Sequence, residues 1–360
     1  MRSDSYNWLE RSLHWIALEP RSVRELAFDL ERRLFMRADA TGAAAGGPPS
    51  DRPVYVCGLA RSGTTILLRA LARSDEFRSL TYRDMPFVMA PNLWRSVSRL
   101  ASRALPPAER AHGDGIMVDY DSPEAFEEVF WRTFCPQPPG PDDFGAAQPD
   151  AETMTAFAEY RSVVAHPRAD PGMPRRYLSK NNNNVMRLAA LACEPTASVL
   201  VVYRDPVDAA RSLFRQHQRF CATHAEVPFT RDYMKWLAHH EFGRDHKPFS
   251  FALRRMDRAL SPECPDYWLD YWTAVHEHVL AEVAPRIFLV DHDRLCAQPV
   301  AMMAAVLAAI GTHADAAALA AEIRAPAAAS SPPDEFDTRL LACARAVHEN
   351  LANNFNNVKK

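Results

Sequence analysis

The sequence predicts an α/β protein: a central parallel sheet with crossover helices packed against it. Three observations carry that prediction. Short β-branched runs alternate along the chain with longer helical ones. The segment Ser198 to Tyr203, with Val-Leu-Val-Val-Tyr at its end, reads as a strong strand. A glycine-bearing turn, Gly58 to Gly63, joins the apolar run Val54 to Cys57 directly to an apolar helix.

The elements follow in order. Residues 6–36 place Trp8, Leu9, Leu13, Trp15 and Ile16, then Val23, Leu26, Leu30, Leu34 and Phe35, at helical spacing on either side of Pro20. Two amphipathic helices are predicted, their apolar stripe facing the core or a second copy of the chain. A membrane-surface role is disfavoured by acidic residues in the polar face. Thr41 to Pro53, rich in Gly, Ala and Pro, reads as a linker. Strands are expected at Val54 to Cys57, Arg78 to Thr81, Tyr177 to Ser179, Ser198 to Tyr203 and Ile287 to Val290. Helices are expected at about Ser62 to Ser74, Asp205 to Phe220, Tyr267 to Val283 and Val300 to Ile310. Proline-dense loops punctuate the chain at 136–149, 166–175 and 325–334. The expected organisation is an N-terminal helical extension (1–40), a main domain (53–312) with an insertion at 104–175, and a C-terminal helical segment (313–360).

Composition narrows the function. Of 360 residues 48% are apolar, and 42 basic side chains against 45 acidic ones give a formal charge of −3. That excludes a disordered chain and argues against nucleic-acid binding through a general basic field, while leaving anionic small molecules open as ligands. Seven cysteines without a Cys-x-x-Cys pair suggest neither a disulfide framework nor a zinc ribbon, and point to a reducing, cytoplasmic setting. Met1 to Pro20 has the wrong polarity for a signal peptide. Met302 to Ile323, interrupted by His313 and Asp315, falls short of the roughly 20 apolar residues of a membrane span.

The turn after the first strand is Gly58-Leu59-Ala60-Arg61-Ser62-Gly63-Thr64-Thr65. Glycines let such a turn fold close to an oxyanion, successive N–H groups point inward, and the helix N-terminus adds positive potential. A kinase loop would place Lys where Thr64 stands and would bind Mg²⁺ through the next hydroxyl. Here the cation is Arg61, inside the loop, whose guanidinium suits a bidentate anion contact. A second block, Val199 to Tyr203 followed by Arg204-Asp205-Pro206 and then Ser212, ends a strand in Arg and starts a helix with a first-turn proline. Between the two lies Tyr177-Leu178-Ser179-Lys180, followed by four consecutive asparagines, Asn181 to Asn184, of which Asn184 would serve as an N-cap.

These residues resemble the sulfotransferases that use 3′-phosphoadenosine 5′-phosphosulfate (PAPS), over about residues 54–310 and most strongly in the bacterial and Golgi-type branch that acts on carbohydrates and tyrosyl proteins. The resemblance implies a three-layer, P-loop-like fold. It assigns Arg61, Ser62, Gly63, Thr64 and Thr65 to the 5′-phosphosulfate, Arg204 and Ser212 to the 3′-phosphate, and a catalytic cationic role to Arg61 and Lys180. The asparagine run departs from the family's commoner Lys-x-Pro pattern.

Sulfuryl transfer requires a base for the acceptor proton and charge stabilisation on the departing phosphate, with no metal expected. In this branch a carboxylate just after the second strand is the usual base. Leu80 to Pro86 contains Asp84 there, which can equally cap the following helix through Pro86. His112, beside Asp114 in a glycine-flanked turn, competes by its unperturbed pKa. Asp121-Ser122-Pro123-Glu124 with Glu127 and Glu128 reads first as helix-start chemistry. His239, His240, His246, His276 and His278 read as surface or core residues, and Tyr267, Trp268, Tyr271 and Trp272 as a buried helix face. The expected function is transfer from PAPS to a hydroxyl of a carbohydrate, glycolipid or similar metabolite. A tyrosyl-protein acceptor, a P-loop nucleoside or sugar kinase, and a non-catalytic nucleotide-binding protein are the alternatives.

Overall fold

The computed structural model describes residues 6–36, 52–98, 108–109, 117–118, 122–135, 143–165, 175–253, 256–324 and 334–357. Asn7 and Glu10 form a capping box that opens α1 (Trp8–Leu18), and Pro20 divides it from α2 (Arg21–Phe35). Trp8, Leu9, Trp15, Ile16, Leu26, Leu30 and Leu34 are exposed on this pair, while Ala17, Leu18, Ala27 and Phe28 enter the core.

Next come β1 (Val54–Cys57), α3 (Thr64–Leu71), β2 (Phe77–Arg78) and α4 (Pro91–Ser98). A separate antiparallel pair, β3 (Ala108–Glu109) with β4 (Met117–Val118), follows. The chain continues through α5 (Glu128–Phe134), α6 (Ala151–Ala165), β5 (Arg176–Lys180), α7 (Leu188–Ala192) and β6 (Ser198–Tyr203). It ends with α8 (Pro206–Glu226), α9 (Pro228–Trp236), α10 (Pro265–Ala281), β7 (Ile287–Asp291), α11 (His292–Ala297), α12 (Pro299–Ile310), α13 (Ala316–Ala320) and α14 (Thr338–Asn357).

The main sheet has five strands in the order β2-β5-β1-β6-β7, and every pairing is parallel. Side chains alternate across it, because successive Cβ atoms on a strand point to opposite faces. Tyr55, Cys57, Tyr177, Val199, Val201 and Tyr203 join one core with residues of α5, α6, α8, α10 and α14. Val54, Val56, Leu178, Leu200, Val202 and Val290 join the other with residues of α3, α12 and α13. The result is the expected three-layer α/β arrangement. Tyr267, Trp268, Tyr271 and Trp272 are buried as expected on α10. Among the described residues, no helix is long and apolar enough to cross a membrane.

Three local expectations need correction. The second strand is Phe77–Arg78 and not Arg78 to Thr81, because its pairing with β5 ends at Arg78↔Tyr177 and Thr81 instead bridges Pro123. That bridge keeps Ser122 to Glu124 out of a helix, so α5 begins only at Glu128. Asn184 does not cap a helix; Asn181 does, accepting from the Asn183 N–H ahead of a 3₁₀ turn at Asn182–Arg187.

Candidate active site

The sheet order reverses around β1: the chain steps to β2 and β5 on one side, then to β6 and β7 on the other. Ligands of open parallel sheets bind at such a switch point, outside the carboxyl ends of the strands. Here those ends carry Gly58 after β1, Lys180 closing β5, Arg204 after β6 and His292 after β7.

Backbone geometry shapes the loop between β1 and α3. Gly58 has φ +140°, and a Cβ there would lie 2.3 Å from the Val202 carbonyl oxygen on β6. Gly63 has φ +94°, and its Cβ would lie 2.2 Å from Nδ1 of His292. Neither position admits another residue without moving a neighbour. Arg61, with φ 69°, occupies the left-handed region that side chains seldom adopt. Its Nε donates to Ser212 Oγ on α8 at 3.2 Å, so the two sequence blocks meet through this pair. Ser62 is fully buried, and its hydroxyl lacks a hydrogen-bond partner among the described residues. Gly63 opens α3 without a side-chain cap, and its carbonyl accepts from the Ile66 and Leu67 N–H groups. A cradle of backbone N–H groups with a buried hydroxyl and a guanidinium fits a phosphate or sulfate group.

Arg204 is turned toward acidic neighbours, with Nη2 3.4 Å from Asp208 Oδ2 and Nε 3.8 Å from Asp293 Oδ1. Asp205 caps α8 through the Val207 and Asp208 N–H groups, and its own N–H donates to Asp293 at 2.7 Å. Arg204 and Ser212 thus stand on the same strand-to-helix unit, each held by a different partner.

Asp84 has no solvent exposure. Its Oδ1 accepts from Arg95 Nε at 2.6 Å, and its Oδ2 from Arg95 Nη2 at 2.9 Å, Thr81 N at 2.7 Å and Thr81 Oγ1 at 3.2 Å. Asp84 does not cap the following helix: it ends a 3₁₀ turn at Tyr82–Asp84, where it closes a capping box with Thr81, and both its oxygens are engaged. His112 and Asp114 lie outside the described residues.

The asparagine run ties together four segments. Asn181 Nδ2 donates to Glu128 at 2.7 Å and Asn184 Nδ2 to Glu127 at 2.8 Å. Arg187 completes a bidentate pair with Glu128 at 2.9 and 2.7 Å, and Trp131 and Tyr177 donate to Glu127. Glu127, Glu128 and Arg187 are all buried, so these are interior ion-pair contacts and not a solvated helix start.

Asn182 and Asn183 face the other way. Thr64 Oγ1 donates to Asn182 Oδ1 at 3.3 Å, and Asn182 Nδ2 donates to Glu241 Oε1 at 3.3 Å. Asn183 Nδ2 donates to the carbonyl of Ala238 at 3.3 Å. His239 Nδ1 sits 3.3 Å from the Glu241 carboxylate. Burial pushes the Glu241 carboxyl up, but the neighbouring His239 and Lys180 outweigh it and hold the group well below the usual carboxylate range. Burial likewise opposes charge on His239, and Glu241 overcomes it, leaving the imidazole above its ordinary value. Sequence reasoning passed over this pair because its partners come from a segment more than fifty positions away, and nothing in the local string His239-His240-Glu241 marks it.

Residues 53–245 of the 360, more than half of the chain, match the sulfotransferase family. Among solved structures, sulfotransferase STF9 from Mycobacterium avium is similar over 98% of this chain and 88% of its own, with TM-score 0.50 and 15% identity. Sulfotransferase STF1 from Mycobacterium tuberculosis covers 92% of this chain and 83% of its own, with TM-score 0.47 and 13% identity. A sulfotransferase from Alicyclobacillus acidocaldarius covers 85% and 96%, with TM-score 0.39 and 13% identity. At 15% identity the first of these, with its TM-score of 0.50, speaks for the fold alone. No curated protein matches the chain. With the match spanning β1 to the loop after α9, and with the phosphate loop at the switch point of a parallel sheet, the chain belongs to the sulfotransferase family.

Proposed function

We propose that this sulfotransferase takes its sulfuryl group from PAPS and delivers it to a hydroxyl of a carbohydrate, glycolipid or similar metabolite. The observation that carries the donor assignment is the pairing of Arg61 in the loop with Ser212 on α8, which links a 5′-phosphosulfate cradle to a 3′-phosphate block in one contact. In this reading the loop residues Ser62, Gly63, Thr64 and Thr65 hold the 5′-phosphosulfate. Arg204 leaves its carboxylate partners to meet the 3′-phosphate together with Ser212, because a charge-assisted bond to a phosphate dianion is stronger than its present long contacts.

Lys180, buried at the end of β5, and Arg61 then stabilise charge on the phosphate oxygen that departs when the S–O bond breaks. Asp84 serves as the pin that fixes Thr81 and Arg95 beside the acceptor side, while His112 and Asp114 belong to the insertion that shapes the acceptor pocket. The donor and the product, 3′-phosphoadenosine 5′-phosphate, need no divalent ion in this scheme. Incubating the protein with ³⁵S-labelled PAPS and a panel of hydroxyl acceptors, with and without EDTA, tests it. Label transfer that survives chelation is expected. Consumption of ATP with Mg²⁺, in place of PAPS turnover, would return the kinase reading.

A further inference from the structure

The asparagines that depart from the family pattern hold a histidine–glutamate pair against the phosphate loop. From this juxtaposition, and resting on the PAPS reading above, we infer that His239 is the general base for the acceptor hydroxyl and that Glu241 positions it.

Reach comes from Asn182, whose one side chain accepts from Thr64 in the phosphate loop and donates to Glu241. A single amide therefore separates the loop from the pair. Orientation comes from Glu241: with its carboxylate 3.3 Å from Nδ1, that nitrogen carries the proton and Nε2 keeps its lone pair. Placement comes from Ala238, a non-glycine residue with φ 55° whose carbonyl is bonded by Asn183. Left-handed backbone of this kind persists only where surrounding contacts impose it, and it clusters at functional sites.

The rival carboxylates are committed elsewhere. Asp84 is enclosed by Arg95 and Thr81, Glu127 and Glu128 by asparagine, arginine and aromatic donors, and Glu124 accepts from Tyr82 Oη at 2.9 Å. The His239 side chain, by contrast, is 22% exposed.

In the transfer step the acceptor O–H bond breaks and its proton passes to His239 Nε2. The acceptor oxygen bonds to sulfur, and the S–O bond to the 5′-phosphate breaks with its electron pair going to the phosphate. The imidazolium left behind is balanced by Glu241.

The test needs two measurements on the full chain. The first compares H239Q and E241Q with wild type for binding of 3′-phosphoadenosine 5′-phosphate and for turnover of ³⁵S-labelled PAPS, with a monosaccharide and with water as acceptors. H239Q should bind the nucleotide as wild type does and lose about 10²–10⁴ in turnover. The rate should rise with pH through an apparent pKa above that of free histidine, the groups acting on His239 being Glu241, Lys180, Glu124 and the adjacent His240. E241Q should shift that limb to lower pH.

The second is a crystal structure of wild type with 3′-phosphoadenosine 5′-phosphate. With base, acceptor oxygen and sulfur each about 3–3.5 Å apart, Nε2 should lie within about 9 Å of the 5′-phosphate. Unchanged turnover in H239Q, or Nε2 pointing away from the phosphate in the complex, would overturn the assignment. Failure of wild type to bind the nucleotide would overturn the PAPS reading itself, and the base with it.

Discussion

The loop after β1 and the asparagine network beside it are built on opposite plans. In the loop one short stretch, Gly58 to Thr65, makes the cradle from its own backbone, and its two glycines are required by contacts at 2.3 and 2.2 Å to β6 and His292. In the network no single stretch suffices. Glu127 and Glu128, Asn181 to Asn184, and Ala238 to Glu241 are brought together by side-chain hydrogen bonds across the chain. The comparison teaches that a site made of main chain is robust to side-chain change except at its glycines, whereas a site made of polar networks fails when one member is removed.

The largest expected effect breaks the asparagine network. Arg187→Met removes the partner of buried Glu128 and leaves an uncompensated interior carboxylate, at a cost of about 3–5 kcal/mol. Urea unfolding should show a midpoint far below wild type at an unchanged m-value. A shift within error would mean that the pair is not a structural element. Next comes Lys180→Ala at the end of β5, where loss of a preorganised charge should lower turnover by about 10²–10³. Single-turnover kinetics with labelled PAPS would check it, and a change confined to KM would assign Lys180 to binding alone.

The smallest effect, taken per group and per pH unit, is the pH dependence. His246 steadies the 238–246 loop, its Nδ1 bonded to the His240 carbonyl and its Nε2 to Tyr267 Oη at 2.8 Å. Burial holds its pKa at about 3, and that of His276 on α10 at about 4. Both groups bind protons more readily when unfolded, so stability is full above the ordinary histidine value and declines as pH falls toward those numbers. The slope should be about 1.4 kcal/mol per pH unit for each group. Denaturant titrations at a series of pH values would show it, and H246Q should flatten the curve by one proton.

The same contrast explains what the sequence disclosed. The sheet, the loop from Gly58 to Thr65 and the β6–α8 block were legible because each depends on local pattern: β-branched runs, glycine spacing, a first-turn proline. The boundary of β2 was not, since it is set by where β5 stops pairing with it. Ser122-Pro123-Glu124 looked like a helix start but is held extended by a bridge to Thr81. Glu128 and Arg187, and likewise His239 and Asn182, acquire their meaning only when the chain folds, because burial and partner identity are set at distances in sequence that no motif spans.

Calorimetry of 3′-phosphoadenosine 5′-phosphate and of ATP binding, on wild type and on Arg204→Ala, tests the central claim most directly. Wild type should bind the 3′-phosphorylated nucleotide well and ATP poorly. Arg204→Ala should weaken only the former, by roughly ten- to hundredfold, the loss of one charge-assisted contact of about 1.5–3 kcal/mol. Equal affinity of wild type and variant for that nucleotide, or a preference for ATP, would contradict the assignment of the β6–α8 block to a 3′-phosphate and with it the PAPS reading.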